Sequence, residues 1–178
     1  MNIINTKING VYVIEPTVFT DERGSFVKPF SKDVFQEKNL VTNFEENFFS
    51  FSKKDVIRGM HFQTPPHDHI KLIYVPKGKI LDVVLDLRKE SPTYGQHVSK
   101  ELSEANKTMM YIPRGCAHGF LSLEEDSCTM YLQETIRNAE SENGIHFNSF
   151  GMNWTTENPI VSTRDQEFCN LSEFKSPF

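Results

Sequence analysis

Between Arg58 and Tyr131 the imidazoles of His61 and His118, the ammonium of Lys71 and the phenol of Tyr131 are each set among apolar or β-branched residues. His61 lies in Arg58-Gly59-Met60-His61-Phe62-Gln63, and Lys71 stands before Leu72-Ile73. His118 falls in Pro113-Arg114-Gly115-Cys116-Ala117-His118-Gly119-Phe120, and Tyr131 in Thr129-Met130-Tyr131-Leu132. These types suit proton transfer beside a ketone. A carbonyl acidifies the hydrogens on its flanking carbons, and a histidine titrating near neutral pH can remove one. The Lys71 ammonium can stabilise the enolate that results. A phenol such as Tyr131 can then return a proton to the opposite face. Removal from one face and return to the other inverts the carbon, so the set reads as the machinery of a keto-sugar epimerase. An acidic group would hold the His61 tautomer. Asp165, in Val161-Ser162-Thr163-Arg164-Asp165, is one candidate that spacing alone does not single out.

Taken singly, each residue has a plainer reading. A lone histidine or tyrosine in a strand is more often a core or surface side chain. Lys71 in His69-Ile70-Lys71-Leu72-Ile73 also fits the outward position of an alternating strand. Their coincidence in apolar surroundings argues for chemistry, because a buried ionisable group is costly unless it is compensated.

The elements that must position them read as short strands. Alternating or β-branched runs cover Val11–Glu15, Val56–Phe62, Ile70–Val75, Ile80–Leu87, Thr108–Ile112 and Ser127–Gln133. Turn residues separate them at Pro76-Lys77-Gly78-Lys79, Ser91-Pro92-Thr93-Tyr94-Gly95 and Pro113-Arg114-Gly115. One helix is predicted near Ser31, an N-cap residue type, with Asp33 in its first turn and Val34 and Phe35 facing inward. Many short strands and little helix predict an all-β jelly-roll sandwich or barrel. The polar stretch after Trp154, with Pro159 and Pro177, is predicted to wrap the surface.

A chain of 178 residues suffices for one domain, 1–178, with a substantial core. A net charge of −5 argues against a nucleic-acid partner, so an anionic substrate must meet local cations. Cys116, Cys128 and Cys169 lack CxxC spacing and fit reduced thiols better than a disulfide framework. Met1–Lys7 has no apolar signal core, and no apolar run reaches the length of a membrane span. A cytoplasmic protein that binds neither nucleic acid nor membrane is expected.

The chain resembles the dTDP-4-dehydrorhamnose 3,5-epimerase family. The matching stretches are Phe19–Gly24, Arg58–Gln63, Lys71-Leu72, Leu81–Arg88, Glu90–Gly95, Leu102–Lys107 and Ile112–Phe120. The resemblance implies a cupin-type jelly roll with a few short helices and no cofactor or metal. It implies a nucleotide-diphospho-4-keto-6-deoxy sugar as substrate, inverted at C3, C5 or both, in the making of bacterial capsule or lipopolysaccharide. By the same resemblance His61 is the catalytic base, Asp165 its carboxylate partner, Tyr131 the general acid and Lys71 the enolate-stabilising cation. His118 stands beside Lys71 in the sugar pocket, oriented by Asp82. Arg58 matches a residue that grips the diphosphate, and Gln63 belongs to the same substrate-binding stretch. Arg23 and Phe26 match residues lent to the nucleotide site by a neighbouring subunit. That implies a homodimer with an exchanged N-terminal strand, for which the sequence shows no obvious hairpin mate.

Three places depart from the family pattern. Lys28 stands where thymidine-nucleotide enzymes usually carry an acid, and Glu46-Asn47-Phe48 replaces a Gln-x-Asn pattern. Ile136 and Arg137 replace paired aromatics after Tyr131. Every proton-transfer residue is intact, so the departures bear on the substrate. Lys28 could donate to the edge of guanine and Glu46 accept from it, which favours a GDP-linked 4-keto-6-deoxy-heptose over a dTDP-linked hexose. The rival reading is a metal-dependent cupin isomerase or oxygenase using His67, His69 and His118. Lys71, where such sites carry a carboxylate, would repel the cation, and Pro65–His69 then reads as an exposed loop at the pocket mouth. A non-catalytic sugar-binding cupin is the remaining alternative, but it would have no use for His61, Lys71 and Tyr131 together.

Overall fold

The computed structural model describes residues 1–178. Strand β1 (Asn2–Asn5) turns back to pair antiparallel with β2 (Tyr12–Glu15). The N-terminal strand therefore has a mate in its own chain, contrary to expectation. A hairpin of β3 (Thr17–Asp21) and β4 (Gly24–Lys28) forms a two-stranded sheet of its own. Helix α1 (Lys32–Glu37) then buries Phe35 edge-on against Phe30 and Phe44. Ser31 occupies the N-cap position with extended backbone, but its hydroxyl makes no capping bond.

The body follows as β5 (Glu46–Ser52), β6 (Val56–Gln63), β7 (Lys71–Lys77), β8 (Lys79–Asp86) and β9 (His97–Ser103). Next come β10 (Met109–Ile112), β11 (Cys116–Ser122), β12 (Ser127–Gln133) and β13 (Glu142–Gly144). The chain ends with β14 (Ile160–Val161), α2 (Thr163–Gln166) and a 3-10 turn at Leu171–Glu173.

Two sheets face one another, ordered β1-β2-β10-β7-β12-β5 and β13-β6-β11-β8-β9, with β14 parallel to β6 at the edge of the second. This is the antiparallel jelly roll expected of the cupin type. Ile73, Val75 and Met110 of the first sheet meet Val84, Leu102 and Phe120 of the second in one buried cluster. Truncating a side chain such as Phe120 to Ala would cost about 3–5 kcal/mol. The outer face of the second sheet is also covered. Trp154 packs there, and Phe62 meets Phe174 and Phe178 with ring centroids 5.3 and 5.7 Å apart. The C-terminal stretch thus builds a second core and does more than wrap the surface. No helix is long and apolar enough to cross a membrane.

All six strands expected from alternation form. Those that escaped notice lack a two-faced pattern. Every residue of β11 is buried, while β5 is an edge strand that exposes Phe49 and Phe51.

Candidate active site

The pocket opens between the two sheets. Register sets its first wall in rows: β12 pairs Tyr131 with Phe48 of β5 and Gln133 with Glu46, and on its other edge pairs Tyr131 with Ile73 and Gln133 with Lys71 of β7. The second wall brings Arg58, His61 and Gln63 from β6, and His118 and Phe120 from β11. His61 and Tyr131 thus come from opposing sheets.

His61 is held from its far side. Its Nε2 lies 2.9 Å from Asp165 Oδ1, while Asp165 Oδ2 accepts the backbone N–H of Gly59 at 3.1 Å. Helix α2 delivers this carboxylate, its Asp165 N–H donating to Ser162 Oγ at the N-cap. Burial alone would raise Asp165. The His61 hydrogen bond and charge, the Gly59 N–H and Arg164 outweigh it and hold the carboxyl at about 2. Burial lowers the His61 pKa, with Lys71 and Arg164 adding to the effect and Asp165 opposing it. In the tautomer that donates Nε2–H to Asp165, the lone pair of the neutral ring is on Nδ1. Gly59 permits the arrangement: its φ is +141°, and a Cβ there would lie 2.5 Å from Gly119 Cα on β11.

Lys71 points inward, not outward. It is 7% exposed, donates from Nζ to the His61 carbonyl at 3.3 Å, and burial brings its pKa down to about 8. His118 Nε2 lies 2.6 Å from Asp82 Oδ1, both side chains being buried. Burial raises Asp82, against the pull of His118 and Lys71. Tyr131 stacks on Phe48 at 4.7 Å and meets the His118 ring edge-on at 6.1 Å. Burial raises its phenol, which stays a proton donor.

The remaining expected residues divide. Arg58 sits at the rim, donating to Ser52 Oγ at 3.1 Å and to the Phe51 carbonyl at 3.2 Å. Gln63 lines the pocket, but its amide is engaged by the chain itself. Nε2 donates to the His67 carbonyl and His69 Nδ1, and Oε1 accepts Asn138 N–H. His69 is not on an exposed loop: it is buried, and desolvation with the Lys71 and Arg114 charges lowers its pKa to about 3. His67, His69 and His118 form no group able to hold a metal ion. Arg23, Phe26 and Lys28 lie on the β3–β4 hairpin, outside this pocket. Within one chain Lys28 therefore does not reach the pocket that Glu46 lines.

Several lining residues had escaped the sequence. Glu142 accepts from Arg137 at 2.5 Å and from Arg164 at 3.2 Å, and Arg164 Nη2 also lies 3.0 Å from His61 Nε2. In Ala139–Gly144 the acid reads as a surface residue, and only the pairing of β13 with β6, Glu142 opposite Gln63, carries it to the site.

The family model for dTDP-4-dehydrorhamnose 3,5-epimerase matches residues 5–173. The chain belongs to the dTDP-4-dehydrorhamnose 3,5-epimerase family. It is 37% identical to that enzyme of Shigella flexneri, over 98% of this chain and 99% of the relative. It is 38% identical to the one of Methanothermobacter thermautotrophicus, over 96% and 94%. The crystal structure of dTDP-6-deoxy-D-glucose-3,5-epimerase from Legionella pneumophila, in complex with dTDP-4-keto-L-rhamnose, is similar with a TM-score of 0.93. There the identity is 36%, over 98% of this chain and 94% of that one. Like the family, the protein is a nucleotide-sugar 3,5-epimerase.

Proposed function

We propose that the protein inverts carbons flanking the C4 ketone of a dTDP-linked 4-keto sugar. One observation carries the reading: His61 of one sheet, held by Asp165 of α2, lines a pocket whose other sheet supplies the buried Tyr131 and Lys71. His61 removes the proton, Lys71 stabilises the enolate oxygen, and Tyr131 returns a proton from the opposite wall. His118, fixed by Asp82, stands beside Lys71 in the sugar pocket, and Arg58 meets the diphosphate with its guanidinium fork. The relatives' names support the thymidine nucleotide. They give no support to a GDP-linked heptose.

The reading includes a homodimer. Phe19 and Phe26 are each 61% exposed at the hairpin, beside Arg23, where a second subunit's nucleotide site would cover them. A dimer in analytical sedimentation is expected, and a fully active monomer would refute this part. It also includes a cytoplasmic place in making deoxysugars for surface polysaccharides. The test of the reaction is incubation with dTDP-4-keto-6-deoxyglucose in deuterated water, with a GDP-linked 4-keto sugar in parallel. Deuterium should enter at C3, C5 or both of the dTDP sugar. No exchange into that sugar would overturn the reading.

A further inference from the structure

His69 is 7% exposed, lines the pocket, and its Nε2 is buried with no hydrogen-bond partner in the chain. The other ring nitrogen is engaged. Asn138 N–H donates to Gln63 Oε1 at 2.6 Å, which fixes the end of the Gln63 amide that is oxygen. Gln63 Nε2 therefore donates, to the His67 carbonyl at 2.7 Å and to His69 Nδ1 at 3.2 Å, with the Ile136 carbonyl farther off at 3.5 Å. The Thr135 hydroxyl stands 3.1 Å from the same Nδ1. A nitrogen that accepts an N–H carries the lone pair, so the proton of the neutral ring is on Nε2.

The ring also stays neutral. Burial lowers its pKa to about 3, and the charges that act on it, Lys71 and Arg114, are both cations that add to the effect. His69 is thus a fixed N–H donor in positive surroundings. A buried donor left unpaired is costly, and a bound acceptor removes the cost.

The strand geometry places this donor beside Lys71. Pairing with β12 runs one residue past the start of β7, since Glu134 N–H donates to the Ile70 carbonyl at 3.0 Å. His69 and Lys71 therefore share the inward face, about 7 Å apart along the chain. Each is tied to the opposite sheet: Lys71 Nζ reaches the His61 carbonyl, and Gln63, two residues after His61, reaches His69.

A pyranose gripped through its C1 diphosphate at Arg58 presents C4, across the ring from C1, to Lys71. We infer that His69 is a second catalytic donor for the enolate, its Nε2–H binding the C4 oxygen that Lys71 also binds. As His61 takes the proton, the C–H pair becomes the new C=C bond and the carbonyl pair moves onto that oxygen. The oxygen has lone pairs for two donors, and both bonds strengthen as its charge grows. A neutral donor suits the second place, because a further buried cation would depress the Lys71 pKa.

The inference rests on the proposed reaction, and two measurements separate them. With dTDP-4-keto-6-deoxyglucose in deuterated water, His69→Leu should lower kcat for deuterium entry by about a hundredfold, with KM and the affinity for dTDP little changed. His69→Gln keeps an N–H donor and should recover part of the loss, which a merely structural histidine would not show. Should His69→Leu fail to fold, His69→Phe keeps a ring there and removes the donor. The second measurement needs no turnover. In NMR of the wild type with isotope-labelled histidine, the His69 Nε2–H signal should move downfield on addition of dTDP-6-deoxyglucose, whose C4 oxygen accepts the same bond. Unaltered kcat in the variant, or no movement of that signal, overturns the inference. No deuterium entry in the wild type, with the signal still moving, would instead overturn the reaction and leave His69 as a donor to the C4 oxygen.

Discussion

Asp165 lies 104 residues after His61, yet its Oδ1 is 2.9 Å from the imidazole Nε2. Its second oxygen accepts the backbone N–H of Gly59, two residues before His61. One carboxylate therefore fixes both the ring and the strand that carries it. In the tautomer that donates Nε2–H to Asp165 the lone pair is on Nδ1, and an imidazolium formed by protonation there would have a counter-charge in place.

Asp165→Asn should leave the pocket formed while lowering kcat by about a hundredfold or more, because an amide cannot offset the imidazolium. The same carboxylate makes a prediction about acid. Its folded pKa of about 2 is below the unfolded value of 3.8, so its stabilisation is complete above about pH 4 and lost as pH falls toward 2. The difference amounts to about 2 kcal/mol. Denaturant titrations of wild type and Asp165→Asn should converge over that window.

His61→Asn and Tyr131→Phe should fail differently. Without the base no enolate forms, so His61→Asn should lose both solvent exchange and inversion, by a factor of about 100 to 10,000. Tyr131→Phe removes only the donor of the opposite wall, and His61 can return the proton to the face it came from. Deuterium exchange should therefore persist while inverted product falls sharply. Wild-type yields of inverted sugar from Tyr131→Phe would assign that proton to another acid.

The rate should rise and fall with pH. His61 must be neutral, and burial places its pKa below the ordinary 6.5 of a histidine, so the acid limb of kcat/KM should lie below pH 6.5. Lys71 must be protonated, and its pKa of about 8 sets the alkaline limb near pH 8. A rate still flat at pH 10 would show that the ammonium charge is not needed.

Lys71→Met should trade stability against activity. At neutral pH the lysine is charged folded and unfolded, and the fall in pKa from 10.5 to about 8 means that burying the charge opposes folding. That opposition amounts to about 3 kcal/mol. A methionine of similar length should raise stability by about 1–3 kcal/mol while the reaction rate drops by two orders of magnitude or more. Between pH 8 and 10.5 the unfolded state holds the proton and the folded state does not, so wild-type stability should climb toward that of the variant. Thermal melts across this range, beside exchange rates, measure both effects.

The candidate base, cation and acid were legible one by one, because His61, Lys71 and Tyr131 each sit in a strand whose local pattern is visible. Ser127–Gln133 alternates, and so Tyr131 and Gln133 were bound to share a face whatever lay across from them. His61, Lys71, His118 and Tyr131 could be named as a set, and a jelly roll foreseen, from patterns no longer than eight residues. Other features depended on which strands become neighbours. The pairing of β12 with β5 and β7 puts Gln133 between Glu46 and Lys71, and β13 against β6 brings Glu142 to the pocket. The seating of α2 under β6 chooses Asp165 from among the acids of the chain. Alternation encodes which face a side chain takes, since that follows from the two-residue repeat of an extended backbone. Register between distant strands has no such local signature. It is settled by the packing of the whole core, and with it the partner of the base and the polar end of the pocket.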